Sequence, residues 1–164
     1  MKLYGRFSLA SLLKLILSFV LGSGVLLFFY ISYRIYVSDF IHIYKLHSLY
    51  LYAFFVIGGS ALGHLIYRFI RITDSLIAND PFTNDNVKSL KWISIDCFIV
   101  SCCYVLNFLI NPMYGKVEIL MIDGKGIHTD VEYLIFLFAG CFILILSKVF
   151  EQAVAYKEEN DLTV

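Results

Sequence analysis

Residues 90–110 read LKWISIDCFIVSCCYVLNFLI, an apolar run broken internally by one carboxylate, Asp96. A helix rises about 1.5 Å per residue, so this run covers roughly 30 Å, the hydrocarbon thickness of a bilayer. Three further stretches share its length and character, over residues 9–36, 49–72 and 131–154. The first is too long for the roughly 7–15-residue apolar core of a cleavable signal, and no small-x-small site follows it. The expected fold is therefore all-α, a four-helix transmembrane bundle forming one integral domain over residues 1–164.

Composition supports this. Of 164 residues, 60% are hydrophobic, and the mean hydropathy is +0.79. A soluble domain is typically about 45–50% apolar, and a short chain cannot bury such an excess. Lipid can cover it. The formal net charge is zero, so there is no basic footprint for direct nucleic-acid binding. Cys97, Cys102, Cys103 and Cys141 all lie within apolar runs and match no zinc spacing. They read as small apolar residues.

Four spans place both termini on one side. Lys2, Arg6, Lys14, Arg68, Arg71, Lys88, Lys91, Lys148 and Lys157 flank that side, while Arg34, Lys45, Lys116 and Lys125 flank the other. The positive-inside rule then makes both termini cytoplasmic. The expected location is a membrane, crossed several times. Tyr36, Tyr44, Tyr50 and Tyr52 border the first loop as an outer aromatic belt. In the third loop, Asn111-Pro112 stops a helix, and Asp123-Gly124 suggests a short hairpin. A plain connector outweighs an external sensor as the reading of that loop.

The second loop reads NDPFTNDNVK over residues 79–88. Proline forces a turn or extended geometry before it. Thr83 or Asn84 can cap the next helix, Asp85 suits its positive end, and Phe82 can staple onto it.

Two ionisable residues fall inside the spans, His64 and Asp96. Both lie roughly 9–12 Å from the same span ends at 1.5 Å per residue, so they can face each other. Mutual satisfaction of two polar groups outweighs a proton relay or ligand-orienting role, although intramembrane ionisable groups always raise a functional question. Haem would need matched axial ligands on different helices. His64 is alone in its layer, with His42, His47 and His128 in loops. No cofactor, metal set or catalytic constellation is expected, and the chain reads as non-enzymatic. Asn107 and Arg34 lie near outer span ends and can snorkel. Gly59 and Gly63 make a small-xxx-small face in span two, with Gly22-Ser23-Gly24 in span one at similar depth. A tight crossing of those spans is expected, and a homodimer contact is the alternative.

Span four continues without a breaker through Lys157 and Glu158. One helix should leave the membrane by about two turns and fray at Asn160-Asp161. The ending is Glu158-Glu159-Asn160-Asp161-Leu162-Thr163-Val164.

The loop Pro81-Phe82-Thr83 with Asn86, followed by Leu90 and Ile93, resembles a PFT-x-x-N-x-x-x-L-x-x-I signature. The ending from Phe150 to Asn160-Asp161-Leu162-Thr163-Val164 resembles a signature closing on D-L-T-V. With four spans in this order, the chain resembles the bacterial membrane family called domain of unknown function 2975. The resemblance implies a membrane component that binds or restrains a small cytoplasmic helix-turn-helix regulator, since such genes often lie beside one. A docking surface would then comprise Pro81, Phe82, Asn86, Glu159, Asn160, Asp161, Leu162, Thr163 and Val164, with the tail folded back on the loop. The rival is a small transporter-like or ligand-sensing membrane subunit.

Overall fold

The computed structural model describes residues 8–39, 46–110, 121–123, 126–128 and 131–162. Side chains of residues 36–48, 121–128 and 161 are also outside that description, as are Tyr36, Tyr44, His42, His47, Asn111-Pro112, Thr163 and Val164 altogether or in their side chains.

Four long helices dominate: α1 Leu9–Asp39, α2 Leu46–Ile77, α3 Asn84–Ile110 and α4 Glu132–Asp161. Each contains a segment long and apolar enough to cross a membrane. The helices outrun the apolar spans because hydrogen bonding and caps, not hydropathy, end a helix. Ser8 caps α1, its Oγ accepting the Ser11 amide at 3.4 Å. Between α3 and α4, strands β1 Met121–Asp123 and β2 Gly126–His128 pair antiparallel, with Asp123 opposite Gly126. This is the ribbon expected around Asp123-Gly124.

Packing follows chain order. Backbones approach within 8 Å between α1 and α2, α2 and α3, and α3 and α4, and between no other helix pair among the described residues. The four expected helices are therefore present and pack as an open row, with α1 and α4 at its edges. A soluble bundle must close to hide its apolar faces. Lipid is as apolar as leucine, so nothing forces closure in a bilayer. The interior sits mainly on α3, one of the two helices with neighbours on both sides, where Leu90, Ile93, Cys97 and Val100 are buried. Among the described side chains of α1, Ala10 is the one buried apolar residue, and Phe19 is 74% exposed.

Close approach is set by small residues. Ser94, fully buried, donates its hydroxyl to the Gly140 carbonyl on α4 at 2.8 Å. A Cβ on Gly140 would stand 3.0 Å from the Phe98 ring and 3.2 Å from the Cys97 Cβ. Ser101 adds a second bond to α4, reaching the Tyr133 carbonyl at 3.0 Å. The expected tight glycine crossing of α1 and α2 does not form. Gly22, Gly24 and Gly63 have open space where a Cβ would go, and only Gly59 is crowded, by the Phe28 ring. Phe28 stacks on Phe55 at 5.1 Å, and its ring occupies the place of a Gly59 Cβ. Gly24 and Gly63 border a cavity of about 410 Å³.

Candidate functional site

The antiparallel packing of α2 on α3 brings His64 and Asp96 together. The His64 Nδ1 lies 2.7 Å from Asp96 Oδ2. One turn along α2, Arg68 Nε donates to His64 Nε2 at 3.1 Å. A guanidinium has only donors, so Nε2 must carry the lone pair. The proton is therefore on Nδ1, which donates to the carboxylate; this tautomer is assigned from the bonding pattern. Neutral His64 thus links a cation to an anion, and the group balances to zero charge. One turn before Asp96, Trp92 completes the cluster. Its ring stands edge-on to His64 at 6.0 Å, and the Arg68 guanidinium carbon is 5.9 Å from its centroid, within cation–π reach.

The Asp96 side chain is 6% exposed and that of His64 37%. The carboxylate is inside the helix row and the imidazole at its margin. Both residues lie roughly 18–20 Å along their helices from the ends nearest the second loop, at 1.5 Å per residue. That exceeds the expected 9–12 Å because α2 and α3 extend beyond their apolar spans. Sequence reasoning paired His64 with Asp96 but missed Arg68 and Trp92. The signal was available: each lies four residues from a member of the pair, on the same helix face.

At the loop end, α2 stops in two reversed hydrogen bonds. The Asp80 amide reaches the Ser75 carbonyl at 3.0 Å and the Asn79 amide that of Leu76 at 3.2 Å. Asn79 takes a φ of 62°, a left-handed geometry that asparagine tolerates better than most residues. Thr83 then caps α3, its Oγ1 accepting the Asn86 amide at 3.3 Å. The Asn86 side chain turns inward. Its Nδ2 donates to the Pro81 carbonyl at 2.7 Å and to Ser75 Oγ. Asn86 is 3% exposed, so it is removed from the expected docking surface. It holds the loop to α2 instead.

The α4 extension lies against this loop. Lys157 Nζ pairs with Asp80 Oδ1 at 2.9 Å, and Asn84 Nδ2 donates to Glu158 Oε1 at 3.1 Å. Phe82 packs on Phe150 with ring centroids 5.5 Å apart, so it contacts α4 as well as standing at the start of α3. Lys91 on α3 reaches Glu151 at 2.9 Å, while Lys14 on α1 reaches Asp74 on α2 at 2.6 Å. Loop and α4 therefore meet as expected, but through the side of a continuing helix. The tail does not fold back at Leu162, which is 87% exposed. The helix of α4 persists to Asp161. Glu159 and Asn160 are exposed on that last turn. Pro81 and Phe82, with Asn79, Asp80 and Lys157, line a cleft of about 380 Å³.

Asn107 departs from the snorkelling expectation. Its Oδ1 is buried without a hydrogen-bond partner, beside an apolar cavity of about 300 Å³ between α2 and α3. Among the described residues, no three His, Cys, Asp or Glu side chains are placed to hold a metal ion.

Four long apolar helices in sequence order, with a capped polar turn at one end, are the architecture of a multi-pass membrane protein. The chain belongs to the family described as protein of unknown function (DUF2975), whose pattern matches residues 13–164. No curated protein and no solved structure matches it.

Proposed function

We propose that the chain is a non-enzymatic regulator in the bacterial cytoplasmic membrane, with both termini in the cytoplasm. Its second loop and the α4 extension receive a small helix-turn-helix transcription factor and hold it at the membrane. The observation that carries this reading is the joint block made by Asp80–Lys157, Asn84–Glu158 and Phe82–Phe150. It is braced by Asn86 from within, yet leaves Leu162 and 43% of Phe82 exposed. Exposed apolar groups framed by fixed polar ones are features of a protein-binding patch. The choice of a helix-turn-helix partner rests on the family resemblance, and the orientation on the lysine and arginine distribution.

The test is co-purification of the full chain with the regulator encoded nearest its gene, in parallel with Phe82→Asp and with a chain ending at Glu159. Capture by the parent and loss in both variants, with membrane insertion retained, is the expected result. Equal capture by all three would remove the patch. Reporter fusions at Val164 and near Gly124 should show opposite sides of the membrane.

A second reading, a ligand-sensing or transporter-like subunit, is favoured by the apolar cavities of about 300 and 410 Å³ flanking α2. It predicts that a small apolar ligand, not a protein, stabilises the purified chain.

A further inference from the structure

We infer that His64 is a proton-operated switch that holds or releases Arg68. His64 Nδ1–H is committed to Asp96 at 2.7 Å, so Nε2 is the nitrogen left to accept a proton, and Arg68 Nε–H occupies it at 3.1 Å. A proton arriving at Nε2 takes that lone pair. The Arg68 bond then has no acceptor, and two cations stand in contact. The imidazolium keeps its Nδ1–H bond to the Asp96 carboxylate, so Arg68 is the group that must leave. The charge of the cluster rises from zero to plus one as one proton enters from solvent.

The surroundings make the response specific. From α3, the groups facing His64 are the Asp96 carboxylate and the uncharged Trp92 ring. From α1, the other helix packed on α2, no charged residue occurs between Leu15 and Tyr33. Lys14 is engaged with Asp74, some 15 Å further along α2 at 1.5 Å per residue. Arg68 is therefore the one cation against His64 among the described residues. Its side chain is long and lies one turn nearer the loop end, so a released guanidinium can reach outward by snorkelling. Imidazole is also the side chain whose charge ordinarily changes near neutral pH. The switch operates without any partner and is independent of the regulator reading.

The chain carries its own reporter. Trp92 is its single tryptophan, in contact with both moving parts, and imidazolium quenches indole emission more strongly than neutral imidazole. The full chain, purified into phosphatidylcholine nanodiscs, is titrated while tryptophan emission is followed. A reversible one-proton transition is expected as the pH is lowered. It should vanish in His64→Gln, and its midpoint should be displaced in Arg68→Gln. A flat parent profile overturns the inference. So does a transition that survives His64→Gln, or a midpoint unmoved by Arg68→Gln. Should the His64 variant fail to fold, nitrogen-15 histidine NMR of the parent reads the same group directly. A basic form with a protonated Nδ1 and a bare Nε2 is expected; the opposite tautomer overturns the switch.

Discussion

The Asn86 side-chain nitrogen lies 2.7 Å from the Pro81 carbonyl oxygen, across the turn that joins α2 to α3. Its second hydrogen reaches Ser75 Oγ on α2. One buried amide therefore ties the last turn of one helix, the loop and the first turn of the next. The chain around it is prepared for that role: Asn79 accepts the left-handed geometry, Pro81 offers a carbonyl without needing an amide bond, and Thr83 caps. The Asn of the loop signature is thus an internal tie, while Phe82 of the same signature faces outward onto α4.

Replacing Asn86 with alanine should leave the Pro81 carbonyl and the Ser75 hydroxyl without this donor. An unsatisfied buried polar group costs about 1–3 kcal/mol. Thermal unfolding in detergent should show the loss, and limited proteolysis should cut the loop faster. An unchanged melting temperature with unchanged cleavage would deny the tie.

Gly140→Ala should disturb the α3–α4 contact. The added methyl would meet the Phe98 ring at 3.0 Å and Cys97 at 3.2 Å, and overpacking costs typically about 1–3 kcal/mol. Gly63→Ala is the internal comparison, since nothing lies within 4 Å of its position. It should be neutral or slightly stabilising through helix propensity. If both variants unfold alike, the difference in packing across the row is wrong.

Removing the Asp96 carboxylate should be worse than removing its partner. Asp96→Ala leaves the Arg68 cation and a His64 donor with nothing negative beside them. Leaving a buried polar partner without its hydrogen bond costs about 1–3 kcal/mol. Asp96→Asn keeps an acceptor for the His64 Nδ1–H and should recover part of the loss. Denaturation midpoints for the two variants, measured in one detergent, check the order. Equal stability of both with the parent would make the contact incidental.

The Asp80–Lys157 pair should contribute little by itself. Its side chains are 53% and 46% exposed, and such pairs contribute about 0–1 kcal/mol. Lys157→Glu should therefore barely change the melting temperature. It should instead raise proteolysis of the second loop, because like charges then face each other, and Asp80→Lys in the same chain should restore protection. A stability loss as large as that of Asn86→Ala would mean that the α4 contact, not Asn86, holds the loop.

The sequence by itself determined the four helices and the turn between the middle two. Both follow from local quantities: the transfer free energy of each residue, and the hydrogen-bonding habits of Asn79, Pro81 and Thr83 within a few positions. It also put His64 and Asp96 at matched depth, because depth is a count along a helix of fixed rise. Only the tertiary structure decided which side chains meet. Helices apolar all round, such as α1 and α3, carry no stripe to announce their inner face. The open row, the cavity where a glycine crossing was expected, the inward turn of Asn86 and the addition of Arg68 and Trp92 to the polar pair all depend on helix rotation. That rotation is set by a few close contacts, Ser94 on Gly140 and Phe28 on Gly59 among them. Those contacts join residues far apart in the chain, where neither periodicity nor hydropathy reaches.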